Sequence, residues 1–500
     1  MGRKLAALMN GHRMVNLIGT LDRDIPSIAY DSRQVQPGGL FVAIPGTRED
    51  GVRYIADAAR RGAHAVITQA TPEQLMEMET GISSLTQIHV ENSRHALAWV
   101  SDRFFDHPSR CLNLVGVTGT NGKTTLTYLL ESIYTLAGRT CGILGSIHYR
   151  YPGNQVSAPM TTPESLDLNR MLRDMVTAGV SDCFLEISSH ALAQQRVSEL
   201  TVAVAAFTNL SRDHLDFHGT EEDYKAAKKV LFRDCRVKQQ VINLDDPMGK
   251  EILAETQRPT LTTGIESPAD VRADDLRLSA TGVRFTMHTP QGRREIRSAL
   301  LGQHNVRNLL SAAAVGLIQD LPLDTVAAGL EALQQVPGRF EEVRAGQDLT
   351  VVVDYAHTDD ALKNALAAAK SFATGRVLTV FGCGGDRDRS KRGPMGRIAL
   401  AGSDFTVITS DNPRTEDPQE ILDDILAGLP ADAREGTDFL VIPDRRQAIE
   451  CAIQRARPHD LVLIAGKGHE DYQILGKKKI HFDDREVARE ALLKRRAADA

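Results

Sequence analysis

The chain has 500 residues, of which 42% are hydrophobic, so it is long enough for roughly three domains that each bury a core. Its formal net charge is −6 and it contains no long basic run, which argues against nucleic acid as the main partner. The six cysteines are scattered without a C-x-x-C pair, which argues against a disulfide framework or a zinc site and indicates buried thiols in a reducing compartment.

The first segment, which ends at about residue 108, contains short elements. Its N-terminal apolar stretch is too short for a signal peptide, and no apolar run of about 18 residues follows anywhere, so we expect a soluble cytoplasmic protein without a membrane span. Three apolar runs predict strands, at 27–30, 39–44 and 64–68. Residues 51–61 predict a helix, and a polar, proline-containing break at 106–110 closes the segment.

The stretch 116–125, which reads GVTGTNGKTT, has the features of a phosphate-binding loop. A buried strand is predicted before it and an amphipathic helix, ending near Gly138, after it. Its glycines let backbone N–H groups surround phosphate oxygens, and the helix N-terminus adds partial positive charge. Lys123 would reach the β- and γ-phosphates, and the Thr124 hydroxyl would hold Mg²⁺. The strict pattern has glycine in place of Val117, but the lysine, the threonine and the flanking elements favour nucleotide binding over a plain glycine turn.

From this loop to about residue 336, strands and helices are predicted to alternate, which indicates an open, mainly parallel sheet. Two motifs there combine carboxylates with imidazoles, at 186–190 and 208–218. Glu186 and His214 are candidate ligands of Mg²⁺ near the phosphates. Imidazole is an unusual ligand for this hard ion, so a purely structural histidine is the alternative for His214.

Lys228 is unusual because helical spacing places it on an apolar stripe. On a helix over 222–232 it lies between Leu231 and Phe232 and close to Tyr224. A lysine on such a stripe normally extends its ammonium group to solvent, which is the simpler interpretation. Burial would instead favour the neutral amine, which can react with carbon dioxide to form a carbamate, an oxygen ligand suited to Mg²⁺.

A second break at 335–339 precedes a third segment with a regular alternation of strands and helices. Strands are predicted at 350–355, 376–381, 404–409, 439–442 and 460–465. Ligands of open α/β sheets bind beyond the C-terminal ends of the strands. Three unusual loops, 382–389, 411–414 and 466–470, follow such ends, so we expect them to lie at one edge and to face a common ligand.

The ordered motifs of the chain resemble those of the Mur ligase family over nearly its whole length. They are Asp31-Ser-Arg33, Gly119-Thr-Asn-Gly-Lys-Thr-Thr125, Thr161-Thr162, Glu186-Ile-Ser-Ser-His190, Asn209-Leu-Ser-Arg-Asp-His-Leu-Asp216, Tyr224-Lys-Ala-Ala-Lys228, His304-Asn305, Pro337-Gly-Arg339, Asp354-Tyr-Ala-His357, Asp411-Asn-Pro-Arg414 and Gly466-Lys-Gly-His-Glu470. The resemblance implies an α/β protein of three domains: a UDP-MurNAc-binding domain (1–108), a central ATP-binding domain with a mainly parallel sheet (109–337) and a Rossmann-like amino-acid-binding domain (338–500). The family's own loop has the glycine spacing seen here.

The resemblance also implies roles for individual residues. Catalysis would involve Lys123, Glu186, His214 and a carbamylated Lys228, and the ligands of Mg²⁺ would be Thr124, Glu186, His214 and Lys228. ATP would be bound by Gly119, Thr120, Asn121, Gly122, Lys123, Thr124, Thr125, Asn305 and Arg339. The UDP-MurNAc-dipeptide would be bound by Tyr30, Ser32, Thr47, Arg48, Glu49, Thr161, Thr162, Ser188, Gln194 and Arg196. Diaminopimelate would be bound by Arg387, Asp411, Asn412, Pro413, Arg414, Gly466 and Glu470.

The implied function is ATP-dependent addition of meso-diaminopimelate to the D-glutamyl γ-carboxylate of UDP-MurNAc-L-Ala-D-Glu, through an acyl phosphate, in peptidoglycan precursor synthesis. An arginine fork at Arg414 can bind the second carboxylate of diaminopimelate bidentately, which favours this amino acid over L-lysine, the alternative substrate. A folylpolyglutamate synthetase would share the phosphate loop but not the motifs at 31–33 and 411–414. A non-enzymatic nucleotide switch would not need Glu186 and Lys228. We expect a monomer with roles in cell shape and division.

Overall fold

The computed structural model describes residues 2–46, 49–76, 82–279 and 281–499, so the predicted uridine contacts Thr47 and Arg48 lie outside the described residues. Within these ranges the chain builds three α/β units in sequence order, each of which consists of one mainly parallel sheet and its helices. We call these units the N-terminal, central and C-terminal layers. The predicted fold class, α/β with a mainly parallel central sheet, is confirmed.

The N-terminal layer contains a five-stranded sheet in which only one edge strand is antiparallel to its neighbour. In spatial order its strands are Asn16–Ile18, Thr86–His89, Ala65–Thr68, Leu40–Val42 and Ile28–Ala29, and a separate pair joins Arg3–Lys4 to Asp24–Ile25. The α-helices are Leu5–Met9, Ile55–Arg60, Pro72–Met76 and Ser93–Phe104, and the 3₁₀ helices are Ser32–Gln34, Gly51–Tyr54 and Pro108–Arg110. The predicted helix at 51–61 is therefore a 3₁₀ turn followed by a short α-helix.

The central layer is an eleven-stranded sheet. In spatial order its strands are Asn154–Ser157, His148–Tyr151, Cys141–Leu144, Asp182–Glu186, Asn113–Thr118, Thr201–Phe207, Arg236–Asn243, Thr260–Gly264, Val271–Ser279, Gly282–Thr289 and Gly292–Ser298. Its helices are Lys123–Leu136, Ser165–Thr177, Ser189–Ala193, Leu215–His218, Glu221–Arg233, Pro247–Glu255, Gln303–Ile318 and Leu323–Ala332. Alternate residues of one strand lie in different apolar clusters, Leu114 in one and Val115 and Val117 in the other, so both faces of the parallel part are buried.

The predicted alternation of strands and helices is wrong at both ends of this sheet. At one end, Cys141–Leu144, His148–Tyr151 and Asn154–Ser157 follow one another without a helix and pair antiparallel. From residue 260 to residue 298 four strands follow one another without a helix, and the last three are antiparallel. Exposed and buried residues alternate along Val271–Ser279, as expected for a strand with one face in solvent. Antiparallel strands need only tight turns, so no crossover helix is required there.

The C-terminal layer is a six-stranded sheet that contains the five predicted strands within one or two residues of their predicted bounds. In spatial order its strands are Glu341–Glu342, Thr350–Asp354, Leu461–Ala465, Val377–Phe381, Phe405–Ile408 and Phe439–Val441, and a hairpin pairs Tyr472–Leu475 with Lys478–His481. Its helices are Asp359–Phe372, Arg392–Gly402, Pro418–Leu426, Arg445–Arg455 and Asp484–Asp499, with a 3₁₀ turn at Arg389–Lys391. Among the described residues, no helix combines the length and the apolar character needed to cross a membrane.

Candidate active site

Neighbouring strands of the central sheet end side by side, which brings the phosphate loop, Glu186 and the segment after Phe207 to one edge. Glu186 pairs in register with Val117, and Phe207 pairs with Thr118. The edge is the C-terminal one, where open α/β sheets bind their ligands.

The phosphate loop is held in shape by the segment that follows Phe207. Thr120 N donates to Asn209 O at 2.8 Å, and Asn121 N donates to Asn209 Oδ1 at 2.9 Å. Thr208 Oγ1 donates to Asn121 O at 2.6 Å. A Cβ on Gly119 would lie 1.9 Å from Thr208 Oγ1, so this position requires glycine. The loop is therefore preformed rather than shaped by its ligand.

Two cations lie at the mouth of the loop. Lys123 Nζ donates to the carbonyl oxygens of Gly119 and Thr120, both at 2.8 Å, and burial lowers the pKa of Lys123. Arg339 Nη2 donates to Thr124 Oγ1 at 3.0 Å, whereas its Nη1 is buried without a partner among the described residues. A buried donor without an acceptor is costly, and a phosphate oxygen would satisfy it.

A cavity of about 400 Å³ lies in front of the loop, between the central and C-terminal layers. The phosphate loop, Glu186 and Asn305 line it from the central layer, and Arg339 and Asp354 line it from the other side. Asn121 Nδ2 donates to Asp360 Oδ2 at 3.1 Å, which links the two layers across the cavity rim. The position and polarity of the cavity suit the phosphates of a nucleotide.

Glu186 is buried, and both its oxygens are bound by one residue. Its Oε1 accepts from Ser146 N and its Oε2 from Ser146 Oγ, each at 3.0 Å. A Cβ on Gly145 would lie 2.2 Å from Glu186 Oε1, so glycine is needed there to let the carboxylate approach. The carboxylate is thus fixed at the cavity wall.

The residues predicted to hold the peptidyl end of the substrate form one group beside Glu186. They are Thr161, Thr162, Ser188, Gln194 and Arg196. Thr162 Oγ1 donates to Glu186 O at 2.8 Å and accepts from Ser188 N at 3.0 Å. Arg196 donates to Thr162 O at 2.9 Å and to Gln194 Oε1 at 2.6 Å. The structure therefore brings these five residues together.

His214 lies near the cavity in a left-handed backbone conformation, with φ of 54°. Burial lowers the pKa of His214 to about 3, so its imidazole is neutral and able to bind a metal. Among the described residues, no group of three or more His, Cys, Asp or Glu side chains is arranged to hold a metal ion.

Lys228 is almost completely buried, at 1% exposure, in the helix Glu221–Arg233. This burial excludes the simpler interpretation in which the ammonium reaches solvent. Its Nζ lies 4.6 Å from the centre of the Tyr224 ring and makes no hydrogen bond or ion pair within the described parts of the chain. Burial, followed by repulsion from Lys123, holds the pKa of Lys228 well below its usual value. The neutral amine is the form that reacts with carbon dioxide.

The loops after three strands of the C-terminal sheet meet at one edge, which confirms their predicted placement. Asn412 Nδ2 donates to Glu470 Oε2 at 2.8 Å, and the fully buried Lys467 donates to the same oxygen at 3.1 Å. Arg414 Nη1 donates to Gly385 O at 2.8 Å, which joins the second loop to the first.

Arg387 and Arg414 differ from most cations of this layer because neither forms an ion pair with a carboxylate in the described part of the chain. Arg387 Nη1 donates to the carbonyl of Asp386 at 2.9 Å. Although Arg387 is exposed, partial desolvation by the surrounding loops, followed by the nearby Arg414, lowers its pKa. Two neighbouring guanidinium groups without a carboxylate partner have the charge and the donors to bind an anion.

The predicted uridine contacts lie in the N-terminal layer, away from the cavity. Tyr30 Oη donates to Asp167 Oδ2 at 2.6 Å, which connects this layer to a helix of the central one. Ser32 is buried, and Glu49 accepts a hydrogen bond from Tyr54 Oη. Tyr30, Ser32 and Glu49 do not line the cavity in front of the phosphate loop.

Comparison with known proteins gives the family. The sequence matches the family models described as Mur ligase family, catalytic domain (24–105), Mur ligase middle domain (117–316) and Mur ligase, glutamate ligase domain (338–468). The chain belongs to the Mur ligase family. Its members form amide bonds with ATP, so the chain is a ligase. The predicted family is thereby confirmed.

Among its relatives are two proteins named UDP-N-acetylmuramoyl-L-alanyl-D-glutamate–2,6-diaminopimelate ligase. The one from Solibacter usitatus is 46% identical over 473 residues, 94% of either chain, and the one from Gloeobacter violaceus is 47% identical over 479 residues, 95% of either chain. A solved structure with the same protein name is 33% identical, covers 99% of this chain and all of that one, and has a TM-score of 0.69. A folylpolyglutamate synthase of Mycobacterium tuberculosis, 18% identical with a TM-score of 0.60, shares the fold and covers 74% of this chain and 92% of that one.

Several residues that contact predicted site residues of this Mur ligase were absent from the predicted site, and two of them bind its carboxylates. Ser146 binds both oxygens of Glu186, but it lies in a serine-containing turn without a motif of its own. Lys467 lies inside a quoted motif, yet its burial depends on Asp411 and Asn412, more than fifty positions earlier. The sequence contained one indication of a role for Lys467, which is its position in the Gly-Lys-Gly-His-Glu loop after the end of a strand.

Proposed function

We propose that this chain adds meso-diaminopimelate to the D-glutamyl γ-carboxylate of UDP-MurNAc-L-Ala-D-Glu, with ATP as the energy source and an acyl phosphate as intermediate. The observation that carries the proposal is the pair Arg387 and Arg414, two neighbouring arginines without a carboxylate partner among the described residues. They lie on the loops 382–389 and 411–414, which together with 466–470 we call the amino-acid loops. Diaminopimelate has a carboxylate at its far carbon, and L-lysine has none. The names of the relatives support the same substrate.

In the first half-reaction, a γ-carboxylate oxygen of the D-glutamyl residue attacks the γ-phosphorus of ATP and ADP leaves. Thr162, Ser188 and Arg196 would hold the peptidyl end beside the cavity, because they form one hydrogen-bonded group there. Lys123 and Arg339 would donate to phosphate oxygens and so stabilise the charge that develops during transfer. Preorganised donors are effective here because the loop is fixed before ATP binds.

We infer magnesium binding next to the phosphate loop, with Lys228 in a carbamylated form. One Mg²⁺ would be held by Thr124 and Glu186, and a second by His214 and the carbamate of Lys228. The ions would neutralise charge on the transferring phosphoryl group. The buried Lys228 has a depressed pKa and no anionic partner in the described residues, which supports a modification that gives it oxygen donors.

In the second half-reaction, the amine of diaminopimelate attacks the acyl carbon, phosphate leaves with the electrons of the broken C–O bond, and the nitrogen loses a proton. Arg414 and Arg387 would bind the carboxylate at the far carbon of diaminopimelate. Asn412 would donate a hydrogen bond to that carboxylate, and Glu470 would accept one from the amine at the same carbon. We further propose that the protein acts in the cytoplasm, where ATP and the UDP-linked substrate are present. We also propose that it is a monomer and that it does not bind nucleic acid. The division at 1–108, 109–337 and 338–500 is supported by the three sheets.

The test is ligation with UDP-MurNAc-L-Ala-D-Glu, Mg²⁺-ATP and a panel of amino acids, followed by ADP release and mass analysis of the product. We expect product with meso-diaminopimelate and very little with L-lysine, D-alanine or L-glutamate. Equal use of L-lysine would contradict the assignment of the amino acid while leaving the ligase chemistry intact. ADP release with a folate substrate, and none with the UDP-linked one, would contradict the whole proposal.

A further inference from the structure

The turn at 466–470 touches the junction before Arg339 through two glycines. Gly338 and Gly468 both have left-handed backbones, with φ of 63° and 53°. A Cβ on Gly338 would lie 2.0 Å from His469 N, and a Cβ on Gly468 would lie 2.6 Å from Gly338 O. The two backbones are therefore in direct contact, with no room for a side chain between them.

This contact lies immediately before the arginine of the phosphate site. Arg339 follows Gly338, and its guanidinium carbon lies 4.5 Å from the centre of the Tyr355 ring. The His469 ring lies 5.0 Å from the same ring, and a Cβ on Gly468 would lie 2.7 Å from Tyr355 Cβ. The turn thus supports both the backbone that carries Arg339 and the ring against which the guanidinium packs.

The junction itself is fastened to the C-terminal layer. Gly338 N donates to Glu341 Oε2 at 2.7 Å, and Phe340 N donates to Asp354 Oδ2 at 2.7 Å. Arg339 is therefore carried by the layer that holds the amino-acid loops, although its side chain donates to Thr124 of the central layer. A shift of the turn would move Gly338, which it contacts, and thereby Arg339, the next residue in the chain.

We propose that the turn around Gly468, besides its part in the amino-acid site, positions Arg339 for phosphoryl transfer, so that an amino-acid loop acts in acyl-phosphate formation before any amino acid is bound. The proposal rests on the function proposed above. Gly468 and His469 are positioning residues in this scheme, because they act through Arg339 and Tyr355. An error of about 1 Å in the placement of such a group can cost on the order of 10²-fold in rate.

The experiment measures the first half-reaction alone, by positional isotope exchange in ¹⁸O-labelled ATP with UDP-MurNAc-L-Ala-D-Glu and no amino acid. We expect Gly468→Ala to slow the exchange by about 10²-fold. The matched control is Gly476→Ala, in the same layer, where φ is 60° and nothing lies within 4 Å of an added Cβ. The control carries the same backbone strain without the collision, so its exchange should stay near the native rate.

Two further variants make the outcome decisive. His469→Ala removes the ring beside Tyr355 without backbone strain and should slow the exchange severalfold. If thermal melting shows that Gly468→Ala does not fold, this variant tests the positioning of Arg339 in its place. Arg339→Lys should slow the exchange strongly, and adding Gly468→Ala to it should cost little more, because both changes act on one group.

Native exchange rates in Gly468→Ala and His469→Ala, with ligation reduced only at the amino-acid step, would overturn the inference. An equal loss in Gly476→Ala would overturn it as well, because strain alone would then explain the effect. Absence of exchange in the native protein would instead contradict the proposed function, so the two failures are distinguishable.

Discussion

The phosphate loop and the amino-acid loops lie at the C-terminal edges of two parallel sheets, but they are built differently. The phosphate loop is shaped mainly by its backbone, since glycine is required at Gly119 and the peptide groups of Thr120 and Asn121 bind Asn209. The amino-acid loops are joined largely by side chains, in which Lys467 and Asn412 share Glu470. The phosphate loop is therefore held by its backbone conformation, and the amino-acid loops are held by hydrogen bonds and ion pairs between side chains.

This difference suggests that the phosphate loop determines the rate of the reaction, whereas the amino-acid loops determine which amino acid is used. Every nucleotide presents the same phosphates, so a backbone cradle with a few cations is sufficient. Two amino acids of equal length that differ by one carboxylate can be distinguished only by side chains with matched charge and geometry. Substitutions in the first region should therefore reduce rate with any amino acid, and substitutions in the second should change which amino acid is used.

The largest expected effect is a loss of selectivity in Arg414→Ala. The native enzyme should prefer meso-diaminopimelate over L-lysine by about 10⁴-fold in kcat/KM, because lysine has no second carboxylate to pair with the guanidinium groups of Arg387 and Arg414. The variant should lose most of this ratio. The control is Arg389→Ala, an exposed arginine that pairs with Asp424 at 3.1 Å. Equal use of both amino acids by the native enzyme, or an unchanged ratio in the variant, would contradict the assignment.

The next effect is a loss of rate in Lys123→Ala, about 10²–10³-fold for one preorganised charge. The loss should be the same with every amino acid, and the melting temperature should change little, because Lys123 contacts the loop rather than an apolar core. ATP-dependent ligation at a near-native rate would remove the phosphate loop from the mechanism.

A severe but partly reversible loss is expected for Lys228→Ala. Short carboxylic acids should restore part of the rate, because they can supply the oxygens of a carbamate at a buried site. Lys225→Ala is the control on the same helix, where the lysine pairs with Glu251. Full activity without added acid, or an unmodified ammonium in an experimental structure with bicarbonate and magnesium nucleotide, would count against the carbamate.

Local pattern was sufficient to predict the parts of the molecule in which neighbours in sequence are neighbours in space. The strand, glycine loop and helix around Lys123 and the inward position of Lys228 are of this kind. The strand-end rule also placed the three amino-acid loops together, because it follows from the topology of a parallel sheet.

The remainder depends on contacts between distant residues or on polar groups that are buried. The helix Ser93–Phe104 was not predicted, since Ser101 and Asp102 are buried on it and interrupt the apolar pattern. The contact between Gly338 and Gly468 spans 130 positions, and glycine carries no pattern from which such a contact can be inferred.

The smallest effect is expected in the N-terminal layer, which contains neither the phosphate loop nor the amino-acid loops. Tyr30 Oη donates to Asp167 Oδ2 at 2.6 Å and joins this layer to the helix Ser165–Thr177. Tyr30→Phe removes one hydrogen bond, worth about 0.5–1.5 kcal/mol, or roughly 2- to 12-fold. The KM for UDP-MurNAc-L-Ala-D-Glu should rise by about this factor, while kcat, the KM for ATP and the preference for diaminopimelate stay unchanged. Tyr151→Phe, which loses a hydrogen bond from Asn154 in a remote hairpin, is the control. A fall in kcat for Tyr30→Phe would mean that this layer orients the reacting carboxylate, and an unchanged KM would remove Tyr30 from the uridine site.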